Sequence, residues 1–508
     1  MFRSRSSSIV IGALLASTFV IITSPVQAAL PDGRIDTSFG TSGFTRTILG
    51  NNDGILDIVL DNQDRIITGG FAVIGDAQNF ALARYTSSGV LDTSFGTAGV
   101  TTTAIGTSAS INSIALDSQG RIIVGGRATI GGAGKFVVAR YTSNGVLDTS
   151  FGTAGLTPTT IGDSASINSI ALDSQGRIVA GGSDTIGGAN EFALARYTSS
   201  GVLDASFGTA GVTTTLIGTS ANINSIALDS QGRIVASGSA TIDGANKFSL
   251  ARYTSSGVLD TSFGTAGLTP TTIGTNAIIF SIAFDSQGRI IGGGFTEIGG
   301  AQQFSLARYT STGLLDTSFG TSGFTTTLIG TNDAILSIAL DSQERIIAGG
   351  GATIGRVGTN FVLARYTSSG VLDSSFGTSG LITTTPDNVF GSTRSIAFDS
   401  QGRVIAGGLG NAISRPINEF ALVRYFVSTN PDLATIAAQA AASAEAARKA
   451  KEQRELTEIL ALIPKIGELT LSLGETTKSL YSTKCVKGKT TKFVKKGSKC
   501  PKGFVKKK

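Results

Sequence analysis

The 508-residue chain has no histidine and no tryptophan, and its single methionine is Met1. Without imidazole there is no Ser-His-Asp or Cys-His machinery, no His-based zinc site and no imidazole acid–base chemistry. Cysteine is limited to Cys485 and Cys500, and charged residues make up only 15%. What is abundant is glycine, at 67 residues, within a chain that is 41% apolar. Sparse charge with many small β-compatible residues points to an all-β body rich in turns, not to a helical enzyme or a disordered chain. Setting aside Arg3, Arg5 and the eleven lysines of residues 484–508 turns the net charge of +6 into −7. The pI of 9.2 therefore describes the C-terminal tail and does not mark a nucleic-acid-binding fold.

Arg3 and Arg5 precede an apolar run from Ile9 to Ile22, followed by Val26-Gln27-Ala28. This order of basic, apolar and small residues predicts a secretory signal over 1–28, cleaved after Ala28 or Ala29. The competing reading is a membrane anchor, but a run of about 14 residues falls short of the roughly 20 that span a bilayer. The expected product is secreted or associated with the cell envelope.

The rest of the chain repeats itself. Leu-Asp-x-Ser-Phe-Gly places its Phe at 39, 95, 151, 207, 263, 319 and 376. Asp-Ser-Gln-Gly-Arg begins at Asp61, Asp117, Asp173, Asp229, Asp285, Asp341 and Asp399, and Arg-Tyr recurs at Tyr85, Tyr141, Tyr197, Tyr253, Tyr309, Tyr366 and Tyr425. Seven copies at a spacing of 56 or more residues predict one repeat architecture. Each copy reads as four strands, a to d. In the second these are Ile111–Leu116, Arg121–Gly126, Phe136–Tyr141 and Leu156–Ile161. Runs such as Phe136-Val137-Val138-Ala139 are apolar on both faces, as expected where each sheet is covered by a neighbour on either side. The Gly-Gly pairs near the end of strand b read as twisted strand ends, not phosphate cradles.

The phase of the repeat also matters. Residues 30–50 hold the end of a unit, and the last unit stops at Tyr425 without its Leu-Asp-x-Ser-Phe-Gly. The prediction is an all-β, seven-bladed β-propeller over 30–427, in which residues 30–50 supply the missing strand d of blade seven and remove an open sheet edge.

The ordered motifs D-S-Q-G-R-I-x-x-G-G, F-x-L-A-R-Y and G-x-L-D-T-S-F-G-T-x-G resemble the delta-60 repeat, a bacterial β-propeller repeat family of unknown function. The resemblance implies a propeller and an exported protein, and it brings no catalytic residues. Asp64 and Glu344 replace the turn Gly in copies one and six, and Glu tolerates the left-handed conformation less readily, so remodelling is expected there.

Alternation of strands puts the a–b and c–d turns on one face of the disc and the b–c and d–a loops on the other. The second set varies most, from RATIGGAGK to GATIGRVGTN and LGNAISRPINE. Asp53, Arg356, Asp387, Arg394 and Arg415 are the candidate binding-face residues for an unknown protein or glycan, since loops on a rigid scaffold commonly carry function; free drift of surface loops is the competing reading. The repeated Asp of Leu-Asp-x-Ser-Phe-Gly reads as a turn acceptor, not a calcium ligand. Gly488-Lys489-Thr490 lacks the upstream Gly of a P-loop. No cofactor, metal or catalytic constellation is expected. An extracellular carbohydrate-active enzyme using acidic residues on the variable face, with Asp53 and Asp387 as imaginable members of a carboxylate pair, is the alternative.

Asn430-Pro431 is a helix-start signal, and the Ala-, Glu- and Lys-rich run that follows predicts an α-helical stalk within 430–480, able to self-associate. The last segment, 484–508, carries Lys484, Lys487, Lys489, Lys492, Lys495, Lys496, Lys499 and Lys502 among its eleven lysines and no acid. In an exported chain Cys485 and Cys500 are expected to form one disulfide closing a small basic loop. The tail resembles short Cys- and Lys-rich ends of some secreted bacterial proteins. Such charge suits an anionic cell-envelope polymer, glycan or membrane surface. Nucleic acid is disfavoured because only Phe493 and Phe504 could stack, and a purely solubilising tail is the bland alternative.

Overall fold

The structure, a computed structural model, describes residues 32–355, 358–385, 389–412, 415–427, 483–495 and 498–507. They belong to two units, one ending at Thr429 and one running from Asn430 to Lys508. The expected signal sequence, the stretch from 428 to 482, and Arg356, Asp387 and Lys496 lie outside the described residues.

Each repeat forms one antiparallel four-stranded sheet. In blade two the strands are a (Ala109–Leu116), b (Ile122–Ile130), c (Ala133–Tyr141) and d (Leu156–Thr159), paired in the order a-b-c-d. In blade seven, a (Val389–Phe398), b (Val404–Ala412) and c (Arg415–Phe426) come from the end of the repeat array. Its strand d is Phe44–Thr47, which pairs with c from Phe44–Val423 to Thr47–Phe420, while Arg34–Ile35 pairs beside it with Phe426 and Tyr425. Strand a of every blade packs on strand a of the next, and that of blade seven packs on that of blade one. The seven a strands therefore ring a central channel, and the sheets form a closed propeller.

The core lies between blades. One cluster joins Ile67, Phe80 and Leu82 of blade one to Ile111, Val124 and Val137 of blade two, and another joins Ile55 and Ile58 of blade one to Ile405, Phe420 and Leu422 of blade seven. Strand c is buried on both faces, with Phe136 through Ala139 at 0% exposure, because a sheet neighbours it on each side. Gly125 and Gly126 lie in the middle of strand b, which corrects the reading of such pairs as strand ends. A Cβ on Gly125 would fall 2.3 Å from Ile170 of the next blade, and one on Gly126 2.0 Å from the Ser110 carbonyl oxygen. The pair lets the next blade and the inner strand approach strand b.

Three further expectations are corrected. In blades one to five the b–c connections are two-residue hairpin turns, not variable loops: in blade two Gly131 and Gly132, at φ +65° and +84°, supply the two left-handed residues of a short turn. Most of RATIGGAGK is thereby drawn into the ladder, with Arg127 opposite Phe136 and Thr129 opposite Gly134. The turns at Asp64 and Glu344 are not remodelled. Both residues keep positive φ, +57° and +62°, and both carboxylates accept from the turn of the preceding blade, Asp64 from Ser400 N–H at 2.9 Å and Glu344 from Ser286 N–H at 3.3 Å. Finally, the described residues contain strands and turns but no helix, so the fold is all-β and the expected α-helical stalk is withdrawn. The physical weakness of that expectation is its apolar stripe, which is mostly Ala up to Leu456; most helical stability comes from packing a broad apolar face, not from propensity.

Candidate functional site

The repeated polar residues are consumed by the architecture. In blade four, Arg252 is 3% exposed and donates to Asp260 at 2.7 Å, to Ser262 Oγ at 3.0 Å and to the Ser311 carbonyl of blade five at 2.7 Å. Its guanidinium also lies 4.7 Å from the Phe263 ring centroid. This latch is the meaning of Arg-Tyr followed by Leu-Asp-x-Ser-Phe-Gly, and it recurs in every blade. Hydrogen bonds from Ser262, and the charge and donation of Arg252, hold the Asp260 carboxyl below the usual carboxylate range despite some desolvation. The Asp is thus a turn acceptor and an arginine partner. The tyrosines tie each blade to the one before it: Tyr141 donates to Thr103 and Tyr253 to Thr215, both at 2.8 Å.

At the closure the same parts come from opposite ends of the chain. Arg424 donates to Asp36 at 2.8 Å and to the Ser87 carbonyl of blade one at 2.5 Å, with its guanidinium 4.8 Å from the Phe39 ring centroid. Tyr85 donates to Thr47 at 2.8 Å. Asn418 Nδ2 adds a bond to Asn52 Oδ1 at 2.9 Å, and Arg46 pairs with Glu419.

Of the five face residues, Arg356 and Asp387 lie outside the described residues, and the structure does not gather the other three into one site. Asp53 is fully buried; its carboxylate accepts from the amides of Leu49 at 2.5 Å and Gly50 at 2.9 Å, and burial pushes its pKa up. It is a turn-forming acid and is removed from the binding face. Arg415 begins strand c of blade seven, paired with Ala412 of strand b. Arg394 belongs to no loop. It lies within strand a of blade seven, at the register shift between Thr393 and Ser395.

That shift recurs on every inner strand and defines a ring at the channel. The bulged residue is Asn112, Asn168 and Asn224 in blades two to four. It is Phe280, Leu336 and Leu56 in blades five, six and one. Flanking Ile side chains are buried, whereas the bulged residues reach solvent; on an inner strand that solvent is the channel. The Asn Nδ2 groups bridge to the next inner strand, on the carbonyls of Ile167, Ile223 and Ile279 at 2.6, 2.7 and 2.8 Å. One residue later stands Ser, whose Oγ accepts the next blade's amide, as from Ile170 to Ser113 at 3.2 Å. Blade one has Asp57 there. Its carboxylate accepts from Ile114 N–H at 2.8 Å and Ser395 Oγ at 2.7 Å, and burial raises its pKa. Sequence reading missed this ring, although the repeated Ile-Asn-Ser-Ile was its visible trace.

A second acid also breaks the repeat. Asp184 stands where other blades have Ala72, Ala128, Ala240 and Ala352. It is 1% exposed and neither carboxylate oxygen has a hydrogen-bond partner. Burial pushes its pKa up to about 6, reinforced by Asp163 and Glu191, with the nearby Thr185 and Ser164 amides opposing from outside hydrogen-bonding geometry.

The C-terminal unit contains a three-stranded sheet in which Thr483–Lys487 lies between Thr490–Val494 and Val505–Lys506. Cys485 and Cys500 form the disulfide, with Cα atoms 5.6 Å apart. Gly488, at φ +60°, sits in the hairpin turn, so Gly488-Lys489-Thr490 cradles no phosphate. Cys485 is buried, while Lys484, Lys487, Lys489, Lys492, Lys495, Lys499 and Lys502 are exposed. Phe493 and Val505 are 60% and 73% exposed.

The model of the family described as "Domain of unknown function (DUF5122) beta-propeller" matches residues 64–95, 118–151, 174–207, 230–263, 288–319 and 345–376. These six stretches are thus similar to the repeats of a β-propeller family of unknown function; blade seven and residues 30–50 lie outside the matches. No curated protein matches the chain. Solved structures it is similar to include the extracellular domain of BT4673, described as a one-component system, from B. thetaiotaomicron, at 14% identity and TM-score 0.39, covering 75% of this chain. The chain spans only 39% of that protein. Sqt1 from Chaetomium thermophilum matches at 13% identity and TM-score 0.41, covering 76% of this chain and 100% of that one. An ulvan lyase of polysaccharide lyase family PL25 matches at 12% and 0.45, covering 78% and 99%. Likenesses at this level carry no functional argument.

Proposed function

We propose that the protein is an exported, non-enzymatic propeller scaffold held to an anionic polymer or glycan of the cell envelope by its stapled basic module. The observation that supports this reading is the C-terminal sheet. It concentrates eleven lysines and no acid in 25 residues, and a disulfide keeps the segment folded while the lysine heads stay in water. Uncompensated charge of this density attracts polyanions over about a Debye length, roughly 10 Å at 0.1 M salt. The apolar residues beside it, Phe493 paired directly opposite Lys484, suit a glycan ring or an interfacial surface better than they suit a tail that only solubilises. The delta-60 likeness and the N-terminal leader pattern agree with export. The propeller fits a scaffold role because its repeated Arg, Asp and Tyr side chains are occupied in joining blades.

Sedimentation with purified cell walls tests the proposal, comparing the full chain with a 1–483 truncation. The full chain is expected to co-sediment at low salt and to be released at about 0.5 M salt, where the screening length has shrunk to a few ångströms; the truncation should stay in solution. Equal retention of the truncation would remove the tether. Turnover of a polysaccharide panel by the truncated propeller would replace the scaffold reading with the enzymatic one.

A further inference from the structure

The central channel carries one cation for which the described residues offer no partner. Arg394 occupies the bulge position of the inner ring, where its six counterparts are Asn, Leu or Phe. Among the described residues it makes no side-chain hydrogen bond and no ion pair. This separates it from the latch arginines, each bound to an Asp. Blade one, the next in the ring, carries Asp57 one residue past its bulge, but the Asp57 oxygens accept from Ser395 and from the Ile58 and Ile114 amides. The Arg394 side chain is open to water, while desolvation by the surrounding protein lowers its pKa. Open to water yet enclosed by protein is the environment of a channel wall. There, opposite charge is felt more strongly than at an exposed surface. Blades three and four, across a seven-membered ring from blade seven, present Asn168 and Asn224, and blade five presents the apolar edge of Phe280.

We propose that the channel is a binding site for an oxyanion, a carboxylate or a sulfate group, held on the guanidinium of Arg394. A planar guanidinium offers a fork of N–H donors that matches two oxygens of such a group. Each asparagine opposite spends one amide N–H on a neighbouring carbonyl and keeps its second N–H for a polar body attached to the anion, and Phe280 supplies an apolar wall. This site is independent of the basic tail: it lies in the other unit and breaks the repeat at a single position.

The test uses the full chain and two probes, inorganic sulfate and glucuronate, each titrated at constant ionic strength against chloride while thermal unfolding of the propeller is followed. The expected result is saturable stabilisation by at least one probe. Arg394→Gln should weaken it at least tenfold, Arg394→Lys should retain part of it, and Lys499→Gln/Lys502→Gln should leave it unchanged. Stabilisation by glucuronate alone assigns the site to carboxylates, and by sulfate alone to sulfates; both support the proposal. Absence of stabilisation by either probe overturns it, as does an undiminished response in Arg394→Gln. Should Arg394→Gln fail to fold, Arg394→Lys decides: an affinity equal to that of the natural chain for both probes overturns recognition by the guanidinium.

Discussion

Replacing Asp184 with alanine should stabilise the propeller, and the gain should depend on pH. The carboxylate is 1% exposed, lacks a hydrogen-bond partner, and has its pKa pushed from 3.8 to about 6. A tenfold change in a protonation equilibrium is about 1.4 kcal/mol, so the charged form is penalised by about 3 kcal/mol in the folded state. Four other blades accommodate Ala at this position, so the substitution leaves a backbone environment already suited to it. The sign is fixed by linkage. A carboxyl whose folded pKa is raised contributes stability that is fully present below its unfolded pKa and lost as pH rises through the folded one. The advantage of Asp184→Ala over the natural chain should therefore be largest above pH 7, about 3 kcal/mol or roughly 3–4 °C for a domain of this size. It should shrink between pH 6 and 4 and be gone below about 3.8. Calorimetric melting of both proteins at pH 4, 6 and 8 measures this. A variant less stable at pH 8, with no change in the difference across the series, would refute the reasoning and show that Asp184 is held by something that stabilises its charge.

The latch makes further predictions. Arg252→Ala leaves Asp260 with only the longer approach of Arg233, at 3.8 Å, and should cost about 3–5 kcal/mol by urea unfolding, the range for breaking one side of a buried pair. Arg252→Lys should recover only part of this, because an ammonium cannot reproduce the fork that reaches Asp260, Ser262 and Ser311 together. The latch carboxyls Asp36, Asp92, Asp148, Asp204, Asp260, Asp316 and Asp373 all titrate below 3.8. Their contribution is present above that value and lost as pH falls through their folded pKa values, so urea midpoints should fall steeply below about pH 4. Cys485→Ser opens a loop with a sequence separation of 15 and should remove about 3 kcal/mol from the C-terminal sheet, read as loss of amide-exchange protection over 483–494.

The blades were legible because each is written in three motifs that a propeller needs in the same place seven times: a turn Asp, a latch Arg-Tyr and a Phe-Gly. Residues 30–50 could be matched to the unfinished last repeat for the same reason. The site was less legible because its parts look like noise against the repeat. Arg394 follows a loop in sequence, yet a bulge carries it onto the channel, and one residue of register decides the face on which a side chain emerges. Asp53 looked like a loop acid, but it turns inward to bond the amides of its own turn. Gly131-Gly132 looked like part of a long loop, whereas two left-handed residues close a hairpin and draw the flanking polar residues into strands. The stalk expected within 430–480 is withdrawn because no helix stands among the described residues; its expectation rested on helix propensity without a broad face to bury.

Deleting residues 30–50 and following thermal unfolding tests the closed ring most directly. The deletion removes strand d of blade seven, leaves Arg424 without Asp36 and Phe39, leaves Tyr85 without Thr47, and exposes the edge of strand c. A ring closed in this way should lose its cooperative transition altogether. An unchanged melting temperature in the truncated protein would contradict it.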